Sequence, residues 1–467
     1  MNNPKFYKYT VIIILVIRGI LNAVIPLMDK TEARYAEIAR LMAETGNWIT
    51  PQIDYGIPFW AKPPLSTWLS ALSLKVFTIN EFFVRLPSLL LTIILIIVIG
   101  KYANRKGLPF FLPGVIVLTI PEFLIHAGVV STDVSLTFAI TLVMLSFWES
   151  VKEKPKPYSQ YLVFFGLGLG LLAKGPIVLI LTLPPILIWA LIFKRIETVL
   201  KKISLLKGSL VVITVGVPWY MLAEKETPGF IDYFVVGEHF KRFFDSSWSG
   251  DKYGFPKYQA LGMIWVFLVL FTLPWGLIIL KNVWKKRHSI LKNEWTAFLL
   301  FWILWTPTFF TISRSLIHPY IMPVMIPIAL IIVNWWTDIK HRIVLIKSSV
   351  VFLLLSLLIG VYSTTNKRSR NYYNTDKYLL ETHTFRDTPL FCLHKANYSG
   401  QFYSKGYMET ITLMELQQFL DSEKPFLVVI LNNHYSELPA ETTKKMVLLE
   451  ANYKKGLYAY KIKSIDF

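Results

Sequence analysis

The side chains best suited to proton transfer lie in DKTEARYAEIARLMAETGNWITP, residues 29–51, which directly follows an apolar run. Asp29 and Glu32 offer carboxylates that can accept a proton or orient a hydroxyl group. Arg34 offers a bidentate donor for a phosphate, and Tyr35 stands beside it. Acids also favour the first turn of a helix, so Asp29 and Glu32 can instead simply start one. Both interpretations are open for these two acids.

A third carboxylate is harder to explain as a helix start. Asp133 stands in VVSTDVSLTF, where an apolar run begins. An acid near hydrocarbon costs free energy unless it has a partner or an aqueous cavity. We therefore predict a catalytic role for Asp133, as for Asp29 and Glu32.

Two lysines stand where Pro or Gly interrupts apolar sequence, Lys62 in PFWAKPPL and Lys174 in LLAKGPIV. Either can extend its amine to the membrane surface as an ordinary interfacial lysine. A lysine beside a helix start is also a good point charge for a phosphate, and arginine offers a bidentate one. The residues that we predict to bind a phosphate-bearing substrate are Arg34, Tyr35, Lys62, Lys174, Arg242, Arg314 and Tyr320.

The adjacent residues Glu238 and His239 in VVGEHFKRF are a candidate metal site. Carboxylate and imidazole groups both bind divalent metals, but neighbouring residues on a helix point in different directions. A divalent metal is therefore left open, and the sequence requires no cofactor. His126 is more typical of a span end or a helix contact than of a ligand.

The composition predicts the kind of structure that positions these residues. Hydrophobic residues make up 54% of the 467 and charged residues 17%, whereas about a quarter of a soluble protein is charged. Apolar runs long enough to cross about 30 Å of hydrocarbon recur along the chain, which predicts an integral membrane protein built from helices. The net charge of +19 comes largely from basic stretches between these runs. Such stretches indicate membrane topology rather than a nucleic-acid partner.

The basic stretches also predict which side of the membrane each loop faces. With Lys5 and Lys8 inside, a first span over about residues 9–27 places residues 28–64 outside. PPLSTWLSALSLKVFTI is too broken to span and is predicted to lie at the interface. VKEKPKPY, KRIETVLKKISLLK, KNVWKKRHSILK and DIKHR then all fall inside if residues 224–257 lie outside. About eleven spans and an external C-terminus follow.

This threading brings the unusual polar residues to one side of the membrane. Charges scattered through a bundle as structural accidents would not sort in this way. Acids beside several cations in an outward cavity indicate chemistry on a phosphate-bearing lipid. The residues that sort to the outer side are Asp29, Glu32, Arg34, Tyr35, Glu37, Lys62, Asp133, Lys174, Glu238, His239, Arg242, Arg314, His318 and Tyr320.

The composition changes after Tyr362 to a polar linker and then to mixed features. DTPLFCLH, KPFLVVILNN and KGLYAYKIK have the content of strands, and TLMELQQFLDSEK has helical spacing. We predict an all-α polytopic membrane bundle over residues 1–362, with residues 363–467 forming a small external α/β domain.

Seven motifs occur in order between about residues 10 and 335: TEARYAEIARLMAETGNWITP, PFWAKPPLSTWLSAL, NEFFVRLPS, STDVSLTF, LLAKGP, PWYMLAEKETPGFIDYFVVGEHFKRF and SRSLIHPYIMPVMIP. Together they resemble the bacterial branch of the protein O-mannosyltransferase superfamily, and within it the 4-amino-4-deoxy-L-arabinose lipid A transferases. The resemblance implies a membrane glycosyltransferase of the GT-C type with an outward cavity and a polyprenyl-phosphate sugar donor. It also matches Lys62, Arg242 and Tyr320 to positions associated with the carrier phosphate.

This chain departs from the arabinose transferases at two positions. Thr31 and Glu32 stand where those enzymes carry an Asp-Glu pair, so the acid role shifts to Asp29, Glu32 or Asp133. Ala61 stands where they carry a Glu before the lysine. The resemblance therefore does not make a metal at Glu238 and His239 a requirement.

The expected reaction is the inverting transfer of a sugar from an undecaprenyl or other polyprenyl phosphate to an extracytoplasmic acceptor. The acceptor is expected to be lipid A, lipopolysaccharide or another surface glycan, and the enzyme is expected in a bacterial inner membrane with its site facing the periplasm. Preorganised cations would stabilise the departing phosphate. The alternatives are a protein O-glycosyltransferase, or a transporter or flippase of a lipid-linked anion.

Overall fold

The structure, a computed structural model, describes residues 3–241, 250, 252–253, 257–313, 315–381, 388–422 and 424–460. A bundle of helices forms most of it, and a small sheet domain follows at the C-terminus. The predicted fold class is confirmed by this arrangement. The bundle consists of α1 Pro4–Val24, α2 Thr31–Thr45, α3 Leu65–Val76, α4 Glu81–Asn104, α5 Leu112–Leu118, α6 Pro121–His126, α7 Thr132–Val151, α8 Ser159–Lys174, α9 Ile177–Ile192, α10 Ile196–Lys202, α11 Leu205–Glu226, a π-helix Asp232–Lys241, α12 Met263–Phe271, α13 Trp275–Lys286, α14 Glu294–Phe310, a 3₁₀-helix His318–Val324, α15 Met325–Asn334 and α16 Arg342–Thr365.

Five of the described helices, α1, α4, α7, α11 and α16, are long and apolar enough to cross a membrane, and α12 with α13 forms a further apolar pair bent by 105°. Ser159–Lys174, Ile177–Ile192 and His318–Asn334 are shorter apolar helical stretches. Helices satisfy their own backbone hydrogen bonds, as a hydrocarbon environment requires. The chain is an integral membrane protein, and the number of spans stays a prediction.

The third apolar run is divided into two short helices, α5 and α6. Ile120 between them has extended backbone angles, φ −84° and ψ 116°, and Pro121 starts α6. A residue before proline disfavours the helical conformation, which explains the break. The break places Glu122, the second residue of α6, inside the bundle.

The segment between α1 and α4 folds as helix, hairpin and helix. Gly46 ends α2 with φ 72°, a conformation that glycine adopts without strain, and strands β1 Gln52–Asp54 and β2 Ile57–Pro58 then pair antiparallel. The predicted interfacial stretch forms α3, whose Leu72 and Val76 are exposed. This apolar, exposed face is typical of a helix that lies on a membrane surface.

The C-terminal domain is a mixed five-stranded sheet in the order β4-β3-β5-β7-β6. Strands β3, β4 and β5 run parallel, and β7 pairs antiparallel with β5 and β6. Apolar residues cover both faces of the sheet in two separate clusters. Its elements are α17 Lys367–Arg370, α18 Lys377–Leu380, β3 Leu390–Leu393, α19 Tyr398–Tyr403, β4 Met408–Ile411, α20 Leu413–Asp421, β5 Leu427–Leu431, α21 Asn432–Ser436, α22 Ala440–Lys444, β6 Met446–Ala451 and β7 Lys455–Tyr460.

Candidate functional site

A cavity of about 270 Å³ opens at the end of the bundle that carries α2 and α3. Its charged side chains come from separate elements: Lys62 precedes α3, Asp133 lies in the first turn of α7, and Lys174 ends α8. An apolar wall beside these charges suits a molecule with an anionic head and a hydrocarbon tail. The apolar lining residues are Leu136, Pro176, Ile177, Ile180, Leu181, Phe240, Phe309, Phe310, Pro319 and Pro323.

Asp133 and Lys174 form an ion pair in this cavity, with Lys174 Nζ donating to Asp133 Oδ1 at 2.5 Å. Ser131 caps α7, so Asp133 lies in its first turn, and Lys174 ends α8, where the helix dipole favours a cation. Gly175 follows with φ +85°, and a Cβ there would lie 2.7 Å from the Phe234 ring. The pair is thus held by two helix ends, and its side chains are only 10% and 14% exposed.

Lys62 and Glu238 form a second, longer contact, with 3.7 Å between Lys62 Nζ and Glu238 Oε2. Lys62 Nζ also donates to the carbonyl oxygen of Ala61 at 2.6 Å, and Glu238 Oε1 accepts from the Tyr233 hydroxyl at 3.1 Å. Charge-assisted hydrogen bonds are usually about 2.7–2.9 Å long. A phosphate can therefore replace this carboxylate contact more easily than the one between Asp133 and Lys174.

One of the two predicted tyrosines, Tyr320, lines the cavity. The ring of Tyr320 lies under Lys174, with Nζ 4.8 Å from its centroid, which is a cation–π contact. Tyr35, in α2, is buried and packs edge-on against the Phe59 ring, with 6.0 Å between centroids, and it is absent from the cavity lining. The structure therefore places Tyr320, but not Tyr35, in the lining of the cavity.

Glu238 and His239 both line the cavity. They lie in the π-helix Asp232–Lys241. His239 Nδ1 is 2.7 Å from the carbonyl oxygen of Phe234 and so donates to it, and burial lowers the pKa of His239. Among the described residues, no three His, Cys, Asp or Glu side chains are grouped so as to hold a metal. The side chains described here do not fit a protein-held metal, and no chemical step is assigned to one.

Asp29 lies at the junction with the C-terminal domain and is absent from the lining of the cavity. Its Oδ1 accepts from the Ser399 N–H at 3.1 Å, and its other carboxylate oxygen accepts from the Ser399 hydroxyl. Asn374 exchanges two hydrogen bonds of 2.8 Å with the Asp29 backbone. Burial raises the pKa of Asp29 to about 6. The geometry gives this acid a structural contact between the two parts of the molecule.

Glu32 is also held away from the cavity lining. Its two oxygens accept from Arg85 Nε and an Arg85 terminal nitrogen at 2.7 and 2.8 Å, and Glu32 Oε1 also accepts from the Val130 N–H at 3.2 Å. Arg85 donates in addition to three carbonyl groups near the end of α1, those of Asn22, Ile25 and Pro26. A bidentate pair with every donor used is typical of a structural tie.

Of the three arginines that the sequence predicts to bind the substrate, the structure describes Arg34. Arg34 donates to the carbonyl oxygen of Tyr253 and lies 5.5 Å from the ring centroids of both Tyr35 and Phe59, so it holds an aromatic group beside the cavity. Arg242 and Arg314 lie outside the described residues, and their predicted roles stay predictions.

One buried acid near the cavity was not identified from the sequence. Glu122 is fully buried and contacts His126 and His318, while Pro319 and Tyr320, which follow His318, line the cavity. Its signal was the acid in the apolar run TIPEFLIH, the same kind of signal that identified Asp133.

Comparison with known proteins agrees with the motifs. The sequence profile of the dolichyl-phosphate-mannose-protein mannosyltransferase family matches residues 11–234. The chain is 29% identical over 328 residues to the undecaprenyl phosphate-alpha-4-amino-4-deoxy-L-arabinose arabinosyl transferase of Enterobacter sp. strain 638, covering 67% of this chain and 56% of that protein. It is 27% identical over 320 residues to arabinosyl transferase 1 of Pseudomonas fluorescens strain Pf-5, covering 66% and 55%. The chain thus spans a little over half the length of these relatives.

Solved structures show the same fold. ArnT from Cupriavidus metallidurans bound to undecaprenyl phosphate superposes with a TM-score of 0.79 at 16% identity, over 98% of both chains. The same protein in the apo state gives a TM-score of 0.76 at 16% identity, over 97% of this chain and 98% of the other. The fold that the resemblance predicts is therefore confirmed, and the two sequence relatives above confirm the resemblance to aminoarabinose transferases.

Proposed function

We propose that this chain is a membrane glycosyltransferase that moves a sugar from a polyprenyl-phosphate carrier to an extracytoplasmic acceptor. The observation that carries the proposal is the cavity itself, in which Lys62 and Lys174 stand beside the Asp133 carboxylate and an apolar wall. Its fold is that of a protein solved with undecaprenyl phosphate bound, which supports this lipid as the carrier. Residues 1–362 would form the transferase domain and residues 363–467 the C-terminal domain.

The carrier phosphate is placed between the two lysines in this proposal. Lys62 exchanges its 3.7 Å contact with Glu238 for the phosphate, and Lys174 binds the phosphate from the other side while it remains near Asp133. The Tyr320 hydroxyl adds a neutral donor, and Arg242 is retained as a further cation from the adjoining segment. The polyprenyl chain lies along the apolar wall formed by residues such as Ile177 and Phe309.

These cations supply most of the chemistry. As the bond between the anomeric carbon and the carrier oxygen breaks, negative charge grows on the phosphate that leaves. Fixed cations in a partly dry cavity stabilise that charge most effectively because they need no reorganisation during the reaction. A strong general acid is therefore not needed, and attack from the opposite face inverts the anomeric centre.

Asp133 is the carboxylate that we assign to the acceptor, in preference to Asp29 and Glu32. It is the one of these three acids that lines the cavity. If the acceptor is a hydroxyl, Asp133 accepts its proton as the new bond forms. If the acceptor is a phosphate of lipid A, which is already anionic, Asp133 orients the sugar or Lys174 instead.

The acceptor class follows from the relatives, which are named as aminoarabinose transferases. We propose lipid A or another surface glycan, reached from the periplasmic side of a bacterial inner membrane that the chain crosses many times. The mannosyltransferase family profile over residues 11–234 favours a protein acceptor as the second candidate.

The test uses the purified chain in liposomes with a panel of radiolabelled undecaprenyl-phosphate sugars and with lipid A, glycan and protein acceptors. A new glycosidic product supports the enzyme, and the labelled acceptor distinguishes the two candidates. Movement of label across the bilayer with no product would instead show a transporter or flippase and refute the proposal.

A further inference from the structure

Glu122 occupies a position that an acid rarely takes. Its side chain is 0% exposed, and its neighbours Ile120 and Phe123 belong to the main apolar cluster of the bundle. Removal of a carboxylate from water costs several kcal/mol unless other groups partner it. The contacts that Glu122 makes must therefore offset this cost.

Two histidines, His318 and His126, contact the Glu122 carboxylate. His318 Nδ1 lies 2.8 Å from both carboxylate oxygens, and His126 Nδ1 lies 3.3 Å from Oε1 and 3.0 Å from the Glu122 carbonyl oxygen. All of these oxygens are acceptors, so Nδ1 carries the proton in each ring. His126 lies within the same helix, α6, whereas His318 ties α6 to a segment 196 residues later.

The ring of His318 fixes the start of the 3₁₀-helix His318–Val324, which brings Tyr320 to the cavity. Pro319 stands between them and holds its own φ near one value. On its other face His318 stacks on Phe271, with 4.9 Å between ring centroids. Glu122 and Phe271 therefore hold the residue two positions before Tyr320, whose own ring packs against Phe310 with 4.9 Å between centroids.

The position of Tyr320 in turn affects the ion pair between Lys174 and Asp133. Its ring supports Lys174 Nζ at 4.8 Å from the centroid, and Lys174 donates to Asp133 at 2.5 Å. A displacement of about 1 Å in a reacting site can lower the rate about a hundredfold. A loose 3₁₀-helix would thus disturb the groups to which we assign the chemistry.

We propose that Glu122, acting through His318, is a positioning residue of the glycosyl-transfer site. It holds the turn that bears Tyr320, and so keeps Lys174 beside Asp133. This inference rests on the proposed function and adds to it a unit that touches no substrate. It explains why a fully buried acid stands at the break between α5 and α6.

Two variants of His318 test the inference because they differ in where the donor lies. His318→Asn places an amide N–H close to the position of Nδ1, whereas His318→Gln carries its amide beyond it. A charge-assisted hydrogen bond is worth enough to change a rate about ten- to a hundredfold. We expect His318→Gln to lower kcat/KM for undecaprenyl-phosphate sugars by that factor, and His318→Asn to restore it to within about threefold.

A matched control lies at the other end of the bundle, where the Tyr102 hydroxyl donates to Glu149 Oε1 at 2.9 Å. Tyr102→Phe removes a hydrogen bond to a carboxylate there, and kcat/KM should be unchanged. In a Tyr320→Leu background, His318→Gln should add little further loss, because both changes act on the same unit. Additive losses, equal losses for Asn and Gln, or wild-type kcat/KM in His318→Gln would each overturn the inference.

Binding of undecaprenyl phosphate to the full chain in nanodiscs separates this inference from the proposed function. If the unaltered chain neither binds this lipid nor forms product, the proposed function fails and the inference fails with it. If the unaltered chain binds and transfers while His318→Gln behaves in the same way, the inference alone is refuted.

Discussion

Two groups of buried charges, one around the cavity and one at the junction of α2 with α4 and the C-terminal domain, differ in whether their contacts leave room for a ligand. At the junction, Glu32 has both oxygens on Arg85, and Asp29 accepts from both donors of Ser399. Around the cavity, Asp133 and Lys174 are also closely joined, at 2.5 Å, but Lys62 stands 3.7 Å from Glu238, and these charges face a space of about 270 Å³.

The difference teaches how to separate structural from functional charges of the same type. A carboxylate whose oxygens are all bonded to protein donors gains nothing from a ligand. A charge with one longer contact beside a void can take a new partner at low cost. Exchangeable contacts, rather than burial, therefore mark the cavity as the place for chemistry.

The largest effect that we expect on the cavity side comes from Asp133→Asn. Loss of a positioned carboxylate that handles a proton typically lowers turnover about 10²–10⁴-fold, and we expect at least the lower figure in the liposome transfer assay. The control is Asp338→Asn, which removes the acid of an exposed pair with Lys286 and should leave turnover unchanged. Near-normal transfer by Asp133→Asn would return the acid role to Asp29 or Glu32.

At the junction, we expect the largest effect from Glu32→Gln, which removes one partner of the ion pair with Arg85. Removal of one partner from a buried ion pair costs about 3–5 kcal/mol, so thermal unfolding should occur at a clearly lower temperature. Turnover per folded molecule should stay near that of the unaltered chain. Glu44→Gln is the control, because that side chain is 47% exposed in its pair with Arg40 and should change stability little. A stable but inactive Glu32→Gln protein would contradict the structural assignment.

A smaller effect should follow from Lys62→Ala. Loss of one charge-assisted hydrogen bond to an anion costs about 1.5–3 kcal/mol, which corresponds to roughly ten- to a hundredfold weaker use of the lipid donor. Dependence of the rate on donor concentration measures it. Lys75→Ala on α3 should change little, because Lys75 extends over the Trp48 ring. Equal, small effects in both variants would mean that Lys62 only reaches the membrane surface.

The smallest effect concerns pH and Asp29. Burial raises the pKa of Asp29 to about 6 from an ordinary value of about 4, so the folded protein holds this proton more tightly than the unfolded chain. The stabilising contribution of the protonated acid is full below about pH 4 and is lost as the pH rises through about 6. The Tm of the unaltered chain relative to Asp29→Asn should fall by about 2 °C between pH 4 and pH 7. A constant difference across this range would contradict the assigned pKa.

The sequence predicts the charged part of the cavity but not its apolar wall. Asp133, Lys62 and Lys174 stand where apolar sequence starts or breaks, so their charges need a reason to be there. The family motifs match Tyr320 to the carrier phosphate, and the structure brings all four residues together. Apolar runs and strand-like composition also predicted the fold class. The sequence does not predict strands β4 and β6, because they are edge strands with exposed residues and their apolar patterns are weak.

The sequence does not predict which side chains form hydrogen bonds when they lie far apart in the chain. Asp29 and Glu32 resemble active-site acids because their loop is polar. Only the fold shows that Ser399 donates to Asp29 and that Arg85 donates to Glu32. The same limit applied to Glu122, whose partner His318 lies 196 residues away. Spacing along the chain reports helix faces and strand faces, but it carries no signal for pairs of this kind.

The contacts of Asp29 also determine when the molecule can be completed during its synthesis. The Leu27 N–H donates to the Tyr403 hydroxyl at 2.7 Å, 376 residues later, and Asp29 is bonded to Asn374 and Ser399. The loop around Asp29 must therefore wait until residues 374–403 have been synthesised before these bonds can close. Such late pairing is slow because a long intervening loop must first be ordered. A chain truncated before residue 374 would carry the cavity residues, and Glu32 would keep Arg85, but Leu27 and Asp29 would lack their partners.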